Sequence, residues 1–367
     1  MTVLLRAITG FLLMKLAVLG VNLFRFPVIS SSFDASPADR WMVSDRVLPP
    51  VSLLIPMRNE QQRLANCLPG LLAQDVAEII LLDDQSTDDT LRVAQTMSEG
   101  VIRARVVSGT APPQGWVGKN WACSQLARQA SGEVLAFCDA DVLMQPEALR
   151  SVLQEMRAQR ADVFSVFPRQ LTPTLGEGLV TPLIDDVLLC FLPFPLLRLP
   201  APSAATANGA LLLFTRPAYD YLGGFDSVHD VLVEDVALAR RTRAEGLQLG
   251  LALGGHAVQT RMYPDYAAVV KGLSRGLVGV AGSRTRLVLA TLWQLAVYVL
   301  PWGLARSRAG WTTPLLLGVL ERVLVDLKTG RKLDWRLALQ PLSAVAVIPV
   351  VAQALRPRQS WRGRTYP

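Results

Sequence analysis

Cysteine and histidine are scarce in this sequence. None of the four cysteines forms a C-x-x-C pair; they are Cys67, Cys123, Cys138 and Cys190. This scattered spacing favours free thiols in a reducing compartment over a disulfide framework or a zinc site. One of the two histidines, His256, lies in a Gly-Gly-His loop, where it could face a metal ion or a phosphate.

Charged residues are few as well, at 18% of the chain, whereas an average protein has about a quarter. Hydrophobic residues reach 51% and concentrate at both ends, which indicates membrane segments around a soluble core. The net charge is +7, and several basic residues flank the apolar ends, as suits an anionic membrane surface. They lack the interleaved aromatic residues of a nucleic-acid patch, so no nucleic-acid partner is predicted.

Residues 2–28 are largely apolar and include three charges, Arg6, Lys15 and Arg25. The stretch is longer than the roughly 20 apolar residues that cross a bilayer, although Lys15 in its middle is unfavourable there. A signal peptide would have a shorter apolar region, and an interfacial helix is the other alternative. We expect a retained anchor at residues 1–29 and a linker rich in Ser, Pro, Asp and Arg at residues 30–50.

The central region alternates strand patterns with helix patterns, at residues 51–55, 61–72, 78–82, 89–97 and 103–107. This alternation predicts an α/β fold, a mostly parallel sheet with helices on both faces. The second of its strands ends in two acids, Asp83 and Asp84. The carboxylate of Asp84 could accept a hydrogen bond from a nucleobase ring N–H, and the alternative for this pair is capping of the following turn.

Residues 134–141 place two carboxylates directly after a short apolar run, Val-Leu-Ala-Phe-Cys-Asp-Ala-Asp. The run is typical of a buried strand, and ligands of open α/β sheets bind at the carboxyl ends of strands. Asp139 and Asp141 repel each other unless a cation lies between them, and their hard oxygens suit Mg²⁺ or Mn²⁺ on a diphosphate. The alternative is a loop with two solvated acids.

Lys119 lies in a glycine-containing loop before a helix predicted at residues 122–130. It could meet a phosphate there with help from backbone N–H groups, and the alternative is a solvated lysine. Further along, Glu234 and Asp235 precede a helix predicted at residues 236–245. They could simply favour the helix dipole, or one of them could be the general base that transfer to a hydroxyl requires.

Three motifs resemble those of family-2 inverting glycosyltransferases with the GT-A fold: residues 51–60, the Leu-Leu-Asp-Asp-Gln-Ser-Thr-Asp-Asp run and Asp139-Ala140-Asp141. The family usually has glycine in place of Gln85. Gly-Lys with its flanking tryptophans, and the terminal Trp-Arg-Gly-Arg-Thr-Tyr, resemble a membrane subgroup that acts on carotenoid- or hopanoid-type lipids.

The resemblance implies a role for each site residue. Asp141, with Asp139, would hold Mg²⁺ or Mn²⁺, Asp235 would be the catalytic base, and Glu234 would position the acceptor. Residues expected to bind the nucleotide sugar are Pro56, Arg58, Glu60, Asp84, which contacts the base, Lys119, Asp139 and Asn208.

Processive polysaccharide synthases carry Gln-x-x-Arg-Trp where this chain has residues 259–263. Here Arg261 comes one place early and is followed by Met262 and Tyr263, which argues against a polymerising enzyme. Arg261 would either assist the leaving diphosphate or serve a structural purpose. The catalytic domain is expected to span residues 51–270.

A membrane part is predicted after that domain. Residues 271–286 form a basic amphipathic segment, and residues 287–355 contain the membrane helices. The clearest crossing is 287–305, whereas 312–327 includes Glu321 and is doubtful. A basic loop after it and the basic tail at 356–367 both favour the cytoplasmic side, so one segment is re-entrant or interfacial.

Residues 183–199 are strongly apolar but interrupted by prolines. They are predicted to contact the membrane or to line the lipid-acceptor site, with core burial as the alternative. The expected protein is therefore a multi-pass enzyme of the cell (inner) membrane with a cytoplasmic catalytic domain. It would move a hexose, glucose in the specific hypothesis, from a UDP-sugar to a hydroxyl or carboxyl of a carotenoid. The alternatives are another lipid acceptor (hopanoid, ceramide or polyprenyl phosphate), a nucleotidyltransferase, and a non-catalytic nucleotide-binding membrane protein.

Overall fold

The structure, a computed structural model, describes residues 2–30, 49–199, 204–356, 359–361 and 364–366. The predicted linker at residues 30–50 lies almost entirely outside the described residues. Much of the predicted tail at residues 356–367 lies outside them as well.

The strands, in chain order, are β1 (Val51–Met57), β2 (Glu78–Asp83), β3 (Ala104–Ser108), β4 (Val134–Cys138), β5 (Val142–Met144), β6 (Val163–Phe167), β7 (Arg169–Gln170), β8 (Leu211–Thr215), β9 (Leu249–Leu253), β10 (Val258–Thr260), β11 (Gln359–Trp361) and β12 (Arg364–Tyr366). The α-helices are α1 (Thr2–Arg25), α2 (Gln61–Leu72), α3 (Thr90–Ser98), α4 (Gly118–Gln129), α5 (Ala148–Ala158), α6 (Leu175–Val180), α7 (Leu183–Phe191), α8 (Arg216–Leu222), α9 (Glu234–Ala244), α10 (Tyr266–Ala281), α11 (Arg284–Tyr298), α12 (Leu300–Leu304), α13 (Thr312–Lys328), α14 (Gln340–Ala346) and α15 (Ile348–Ala354). Short 3-10 helices lie at Phe194–Arg198, Gly224–Val228, Ala309–Trp311 and Trp335–Leu339.

These elements are divided between two compact units. The sheet unit comprises Pro27–Arg169 and Leu197–Thr260, and the helical unit comprises Met1–Phe26, Gln170–Leu196 and Arg261–Pro367. The catalytic domain predicted at residues 51–270 does not follow this division, because residues 170–196 and the residues from 261 onwards pack within the helical unit.

A seven-stranded sheet forms the centre of the sheet unit, in the order β3-β2-β1-β4-β8-β6-β9. β1 is parallel to β2 and β4, whereas β8 runs antiparallel to both β4 and β6. The central strands are buried on both faces, which explains their almost continuously apolar sequences. The predicted α/β fold with a mostly parallel sheet is confirmed.

Helices cover both faces of this sheet. On one face, Leu53 of β1 belongs to a core that includes Leu68 of α2 and Val152 of α5. On the other face, the Phe137 ring of β4 stacks on the Tyr219 ring of α8, with centroids 5.7 Å apart. A smaller antiparallel pairing of β5 with β10 holds the chain that follows β4. These three-residue strands are too short to give a periodic signal in the sequence.

The chain after α1 joins the outer edge of the large sheet. The Ile29 N–H donates to the Leu253 carbonyl at 2.8 Å, and the Leu253 N–H donates to the Pro27 carbonyl at 2.9 Å. Val28 thereby forms a parallel bridge to the end of β9. α1 ends at Arg25, before the end of the predicted anchor at residues 1–29, because residues 27–29 pair with the end of β9 instead.

Lys15 of α1 lies in a buried charged network of the helical unit. Its side chain is fully buried, and its ammonium lies 2.8 Å from Asp186 Oδ2 and 3.0 Å from Glu321 Oε1. The ammonium also donates to the Tyr298 hydroxyl at 2.7 Å, and that hydroxyl donates to Glu321 at 2.7 Å. The lysine that is unfavourable in an apolar helix is therefore neutralised by carboxylates from two other helices.

Residues 183–199, predicted to contact the membrane or the lipid acceptor, form α7 and a 3-10 helix. Asp185 of α7 is 4% exposed and accepts from the Arg331 guanidinium at 2.6 Å, and Leu189 is fully buried. These contacts favour the core-burial alternative for the inner face of α7. Its outer face is open, with Val187 49% exposed.

Within the described part of the chain, three helical stretches are long and apolar enough to cross a membrane: Thr2–Arg25, Arg284–Leu304 and Trp335–Ala354. They lie in the regions where the sequence predicts membrane segments. α13, which covers the doubtful crossing at residues 312–327, is not among them. Its Glu321 is buried against Lys15, which accounts for an acid within an otherwise apolar helix.

Candidate active site

Acidic side chains collect at one edge of the seven-stranded sheet. β1, β2 and β4 run in the same direction, so the residues that follow them, among them Asp84 and Asp139, reach the same edge. β8 runs in the opposite direction, so the residues before it, Asn208 and Gly209, reach that edge too. The Asp139 N–H donates to the Ala210 carbonyl at 2.9 Å and joins the two segments.

The two carboxylates of the D-x-D motif contact different cations. Asp139 Oδ1 lies 2.9 Å from the Lys119 ammonium, whereas Asp141 Oδ2 lies 3.3 Å from Nη1 of Arg63. Arg63 belongs to α2 and also lies 3.6 Å from Glu60 Oε2. The sequence did not indicate Arg63, because its partner Asp141 is 78 positions away.

Lys119 binds two acids of the site. Besides Asp139, its ammonium lies 3.1 Å from Glu234 Oε1 and 3.4 Å from the Gly209 carbonyl. Burial alone would lower the pKa of Lys119, but the charges of Asp139 and Glu234 raise this pKa well above its ordinary value, so the ammonium stays protonated. The helix predicted at residues 122–130 begins earlier, at Gly118, and this places Lys119 in its first turn.

Asp235 lies beside this ion-pair network. α9 begins at Glu234 rather than at residue 236, so both acids lie in its first turn. Asp235 Oδ2 accepts from the Gly209 N–H at 2.8 Å, and Oδ1 accepts from the Val236 N–H at 2.7 Å. Burial and then the Glu234 charge raise the pKa of Asp235 to about 7, against the opposing effect of Lys119. A carboxyl with this pKa can take up and release a proton near neutral pH.

Gly209 is a second site residue, besides Arg63, that the sequence did not identify. A Cβ atom there would lie 3.2 Å from Glu234 Oε1, 3.2 Å from Lys119 Nζ and 3.4 Å from Asp235 Cβ. The absence of a side chain therefore lets the lysine and both acids approach the same backbone segment. The sequence offered one signal, the Asn-Gly pair directly before a strand.

Gly209→Ala is expected to lower kcat, but by less than the roughly 10²-fold effect of a 1 Å misplacement, because contacts at 3.2 Å require smaller shifts of the side chains. The added methyl group would push the Lys119 ammonium and the Glu234 carboxylate away from their present positions. Steady-state kinetics and a thermal unfolding scan check this. Gly279→Ala is the matched control, since a Cβ there meets nothing within 4 Å. Equal activity of the two variants would contradict the packing argument.

The acids after β2 have different surroundings. Asp83 Oδ2 accepts from the Ser86 N–H at 3.2 Å, so the turn-capping alternative fits Asp83. Asp84 is 4% exposed, and its carboxylate Oδ2 lies 3.9 Å from Nη1 of Arg58. Gln85 has a φ of 57°, a left-handed conformation that glycine adopts easily, which gives a physical reason for the usual family glycine at this position.

The remaining predicted nucleotide-sugar residues are held by backbone contacts. Pro56 lies in β1 opposite Leu82 of β2, next to the edge that carries the acids. Glu60 is 6% exposed, and its N–H donates to the Thr90 hydroxyl at 2.8 Å. Asn208 Oδ1 accepts from the Ala210 N–H at 2.9 Å, which shapes the turn around Gly209.

The two remaining candidates have partners of their own. His256 Nδ1 lies 2.7 Å from the Arg169 guanidinium in an exposed contact. Arg261 belongs to the helical unit, where its Nε lies 2.9 Å from Glu177 Oε1 and its Nη2 donates to the Pro264 carbonyl at 2.8 Å. These contacts favour the structural alternative for Arg261.

The donor atoms at the D-x-D motif fit a hard divalent cation. Asp139 and Asp141 offer carboxylate oxygens, which Mg²⁺ and Mn²⁺ prefer, and a bound cation would share them with Lys119 and Arg63. Among the described residues, another group of possible metal ligands is Asp186, Cys190 and Glu321, whose ligand atoms lie within 4.8 Å of one another. In that cluster the Lys15 ammonium already supplies the positive charge.

Comparisons with known proteins find a matching family model, similar sequences and a similar fold. Residues 52–175 match the family model Glycosyl transferase family 2. The chain is 27% identical over 249 residues to 4,4'-diaponeurosporenoate glycosyltransferase of Staphylococcus aureus, and the match covers 66% of this chain and 65% of that protein, slightly less than two thirds of the relative's length. The mannosyltransferase PcManGT of Pyrobaculum calidifontis, solved with GDP-Man and Mn²⁺, has the same fold, with a TM-score of 0.52 and 18% identity over 96% of this chain and 99% of that chain. The matching domain and the shared fold make this chain similar to the family-2 glycosyltransferases, and among them to a carotenoid glycosyltransferase.

Proposed function

We propose that the protein is an inverting hexosyltransferase that moves glucose from UDP-glucose to a hydroxyl or carboxyl group of a carotenoid. The observation that carries this proposal is the meeting of Lys119, Asp139, Glu234 and Asp235 around Gly209. A general base, a cation and the D-x-D acid at one sheet edge are the groups that a single displacement at an anomeric carbon needs. The similarity to a diaponeurosporenoate glycosyltransferase supports a carotenoid acceptor.

Each residue has a role in this proposal. Asp84 accepts from the base of the nucleotide, and Arg58 holds the loop that carries it. When bound to Asp139 and Asp141, Mg²⁺ or Mn²⁺ would neutralise the charge of the diphosphate. The Lys119 ammonium stabilises negative charge on the departing UDP.

The acceptor side depends on the acids of α9. Asp235 takes the proton of an acceptor hydroxyl as the new C–O bond forms, and the oxygen attacks from the face opposite the leaving group, so the configuration inverts. Glu234 keeps Lys119 in place and positions the acceptor.

A membrane location follows from the same proposal, because a carotenoid resides in the bilayer. Three stretches long and apolar enough to cross a membrane support it. We propose a multi-pass protein of the cell membrane with a cytoplasmic catalytic domain, in accord with the basic residues around the C-terminal helices.

The direct test incubates the purified full-length protein with Mn²⁺, UDP-glucose and a hydroxylated or a carboxylated carotenoid. UDP release and a carotenoid heavier by one hexose, measured by mass spectrometry, are the expected results. Product on a hopanoid, ceramide or polyprenyl phosphate alone would replace the carotenoid as acceptor. A nucleotidyl product, or UDP binding without transfer to any lipid, would overturn the proposal.

Asp141→Ala is expected to weaken Mn²⁺-dependent UDP binding at least about tenfold, because it removes a carboxylate ligand from the cation. Calorimetric titration of UDP with and without Mn²⁺ measures the effect. Asp220→Ala, an exposed acid on α8, is the control. Unchanged UDP affinity in Asp141→Ala would argue against the metal assignment.

Transfer to a hydroxyl is expected to accelerate as the pH rises through about 7. Burial and the Glu234 charge raise the pKa of Asp235 to about 7, and only the ionised form accepts a proton, so activity is lost below that pH. Glu234→Gln removes the neighbouring negative charge and should move the midpoint to lower pH. Profiles of kcat/KM for both proteins check this, and an upward or absent shift would contradict the assignment.

A further inference from the structure

A cavity of about 400 Å³ in the helical unit lies between α10 and α15. Its polar lining consists of Lys271, Ser274 and Arg275 of α10, Tyr266 at the start of that helix and Gln353 of α15. None of the residues proposed for glycosyl transfer lines it.

The cavity is positively charged. Lys271 and Arg275 are four positions apart, so they lie one turn apart on the same face of α10, with Ser274 next to them. Lys271 is exposed, and within the described part of the chain its ammonium forms no ion pair. Neither α10 nor α15 contains an acidic residue. The acid directly before α10, Asp265, caps that helix by accepting from the Ala268 N–H at 2.8 Å. Two cations on a helix face that carries no acid favour an anion.

The apolar surroundings identify the kind of anion. Gln353 is the penultimate residue of the candidate membrane span Trp335–Ala354, and α10 ends three positions before the span Arg284–Leu304 begins. The other side of α10 is apolar, and its Val269 packs in a core with Val350 of α15. A basic cavity at the end of membrane helices faces the layer where lipid phosphates reside.

We propose that this cavity binds the phosphate headgroup of an anionic phospholipid. Lys271 and Arg275 hold the phosphate oxygens by charge, and the Gln353 amide supplies a hydrogen-bond donor. The Ser274 hydroxyl donates to the Lys271 carbonyl at 3.2 Å instead. The Tyr266 hydroxyl donates to the Ala346 carbonyl at 2.8 Å and keeps α10 against the span, so its ring forms a fixed wall. This binding is independent of the proposed transfer reaction.

The test uses the full-length protein in phosphatidylcholine nanodiscs doped with phosphatidylglycerol, and native mass spectrometry counts the retained lipids. We expect one phosphatidylglycerol to stay bound in preference to phosphatidylcholine. Lys271→Gln should weaken it about fivefold, the effect expected for one basic residue at a membrane surface. Lys271→Arg should retain the lipid, and Lys332→Gln, an exposed lysine of the loop after α13, is the matched control.

Three results would overturn the proposal. The first is no preference for phosphatidylglycerol in the unmodified protein. The second is an equal loss of phosphatidylglycerol in Lys271→Gln and Lys332→Gln. The third is displacement of the lipid by millimolar glycerol phosphate, which would identify a site for soluble phosphates instead. Because lipid retention is measured without any donor sugar, none of these results depends on glycosyltransferase activity.

Discussion

Asp235→Asn should slow transfer to a hydroxylated acceptor by about 10²- to 10⁴-fold, the usual contribution of a general base, while leaving UDP binding intact. The amide cannot take a proton, and it can accept only one of the two backbone N–H bonds that Asp235 accepts from Gly209 and Val236. Kinetics with saturating donor and calorimetric binding of UDP separate the two effects. Asp220→Asn, on the exposed face of α8, controls for the loss of one negative charge.

A carboxylated acceptor should respond differently to the same variant. A carboxylic acid is already ionised at pH 7, so it has no proton for Asp235 to remove. The loss in Asp235→Asn should therefore stay within about tenfold on a carotenoid carboxylate. Equal losses on both acceptors would show that Asp235 positions the acceptor rather than taking its proton, and full activity on the hydroxylated acceptor would exclude it as the base.

Lys15→Met should lower the free energy of unfolding by about 3–5 kcal/mol, since it leaves carboxylates buried without their cation. Asp186 and Glu321 lie 2.8 Å and 3.0 Å from the ammonium and come from α7 and α13. Thermal and denaturant unfolding in detergent measure the loss. Arg6→Met, on the exposed side of the same helix, is the matched control and should have little effect.

A triple variant separates the charge from the packing. If unpaired carboxylates cause the loss, then Lys15→Met combined with Asp186→Asn and Glu321→Gln should recover a large part of it, because no net charge remains buried. In the unmodified protein the Tyr298 hydroxyl donates to Glu321, and the amides of the variant can still form hydrogen bonds with that hydroxyl. A triple variant as unstable as Lys15→Met alone would attribute the loss to packing around the lysine stem.

The sequence predicted the acids of the site because parallel strands end at the same edge of a sheet. Asp84 and Asp139 follow apolar runs, so their placement at the same sheet edge required only the correct strand order. Gly209 could not be found in this way, because its approach to the site depends on β8 being antiparallel to β4. Strand direction is set by tertiary pairing and leaves no mark in the residues of the strand itself.

The helical unit was harder to predict, since its polar contacts join distant parts of the chain. Asp185 bonds to Arg331 over 146 positions, and Lys15 bonds to Glu321 over 306 positions. From the sequence, residues 183–199 read as a segment that contacts the membrane or lines the lipid-acceptor site, with core burial as the alternative. The acid Glu321 argued against a crossing at residues 312–327. Only the folded chain reveals that Asp185 pairs with Arg331 and that Glu321 pairs with Lys15.

The bridge between Val28 and the end of β9 has a practical consequence for obtaining a soluble catalytic fragment. A fragment that starts at residue 49 would keep every strand of the seven-stranded sheet but would leave the Leu253 amide and carbonyl without the groups that satisfy them. The fragment would also leave a cavity at the position of Ile29, which is 3% exposed in the full chain. An edge strand with unpaired backbone groups can pair with the same strand of a second molecule, so such a fragment should self-associate. A fragment that retains residues 27–30 should not.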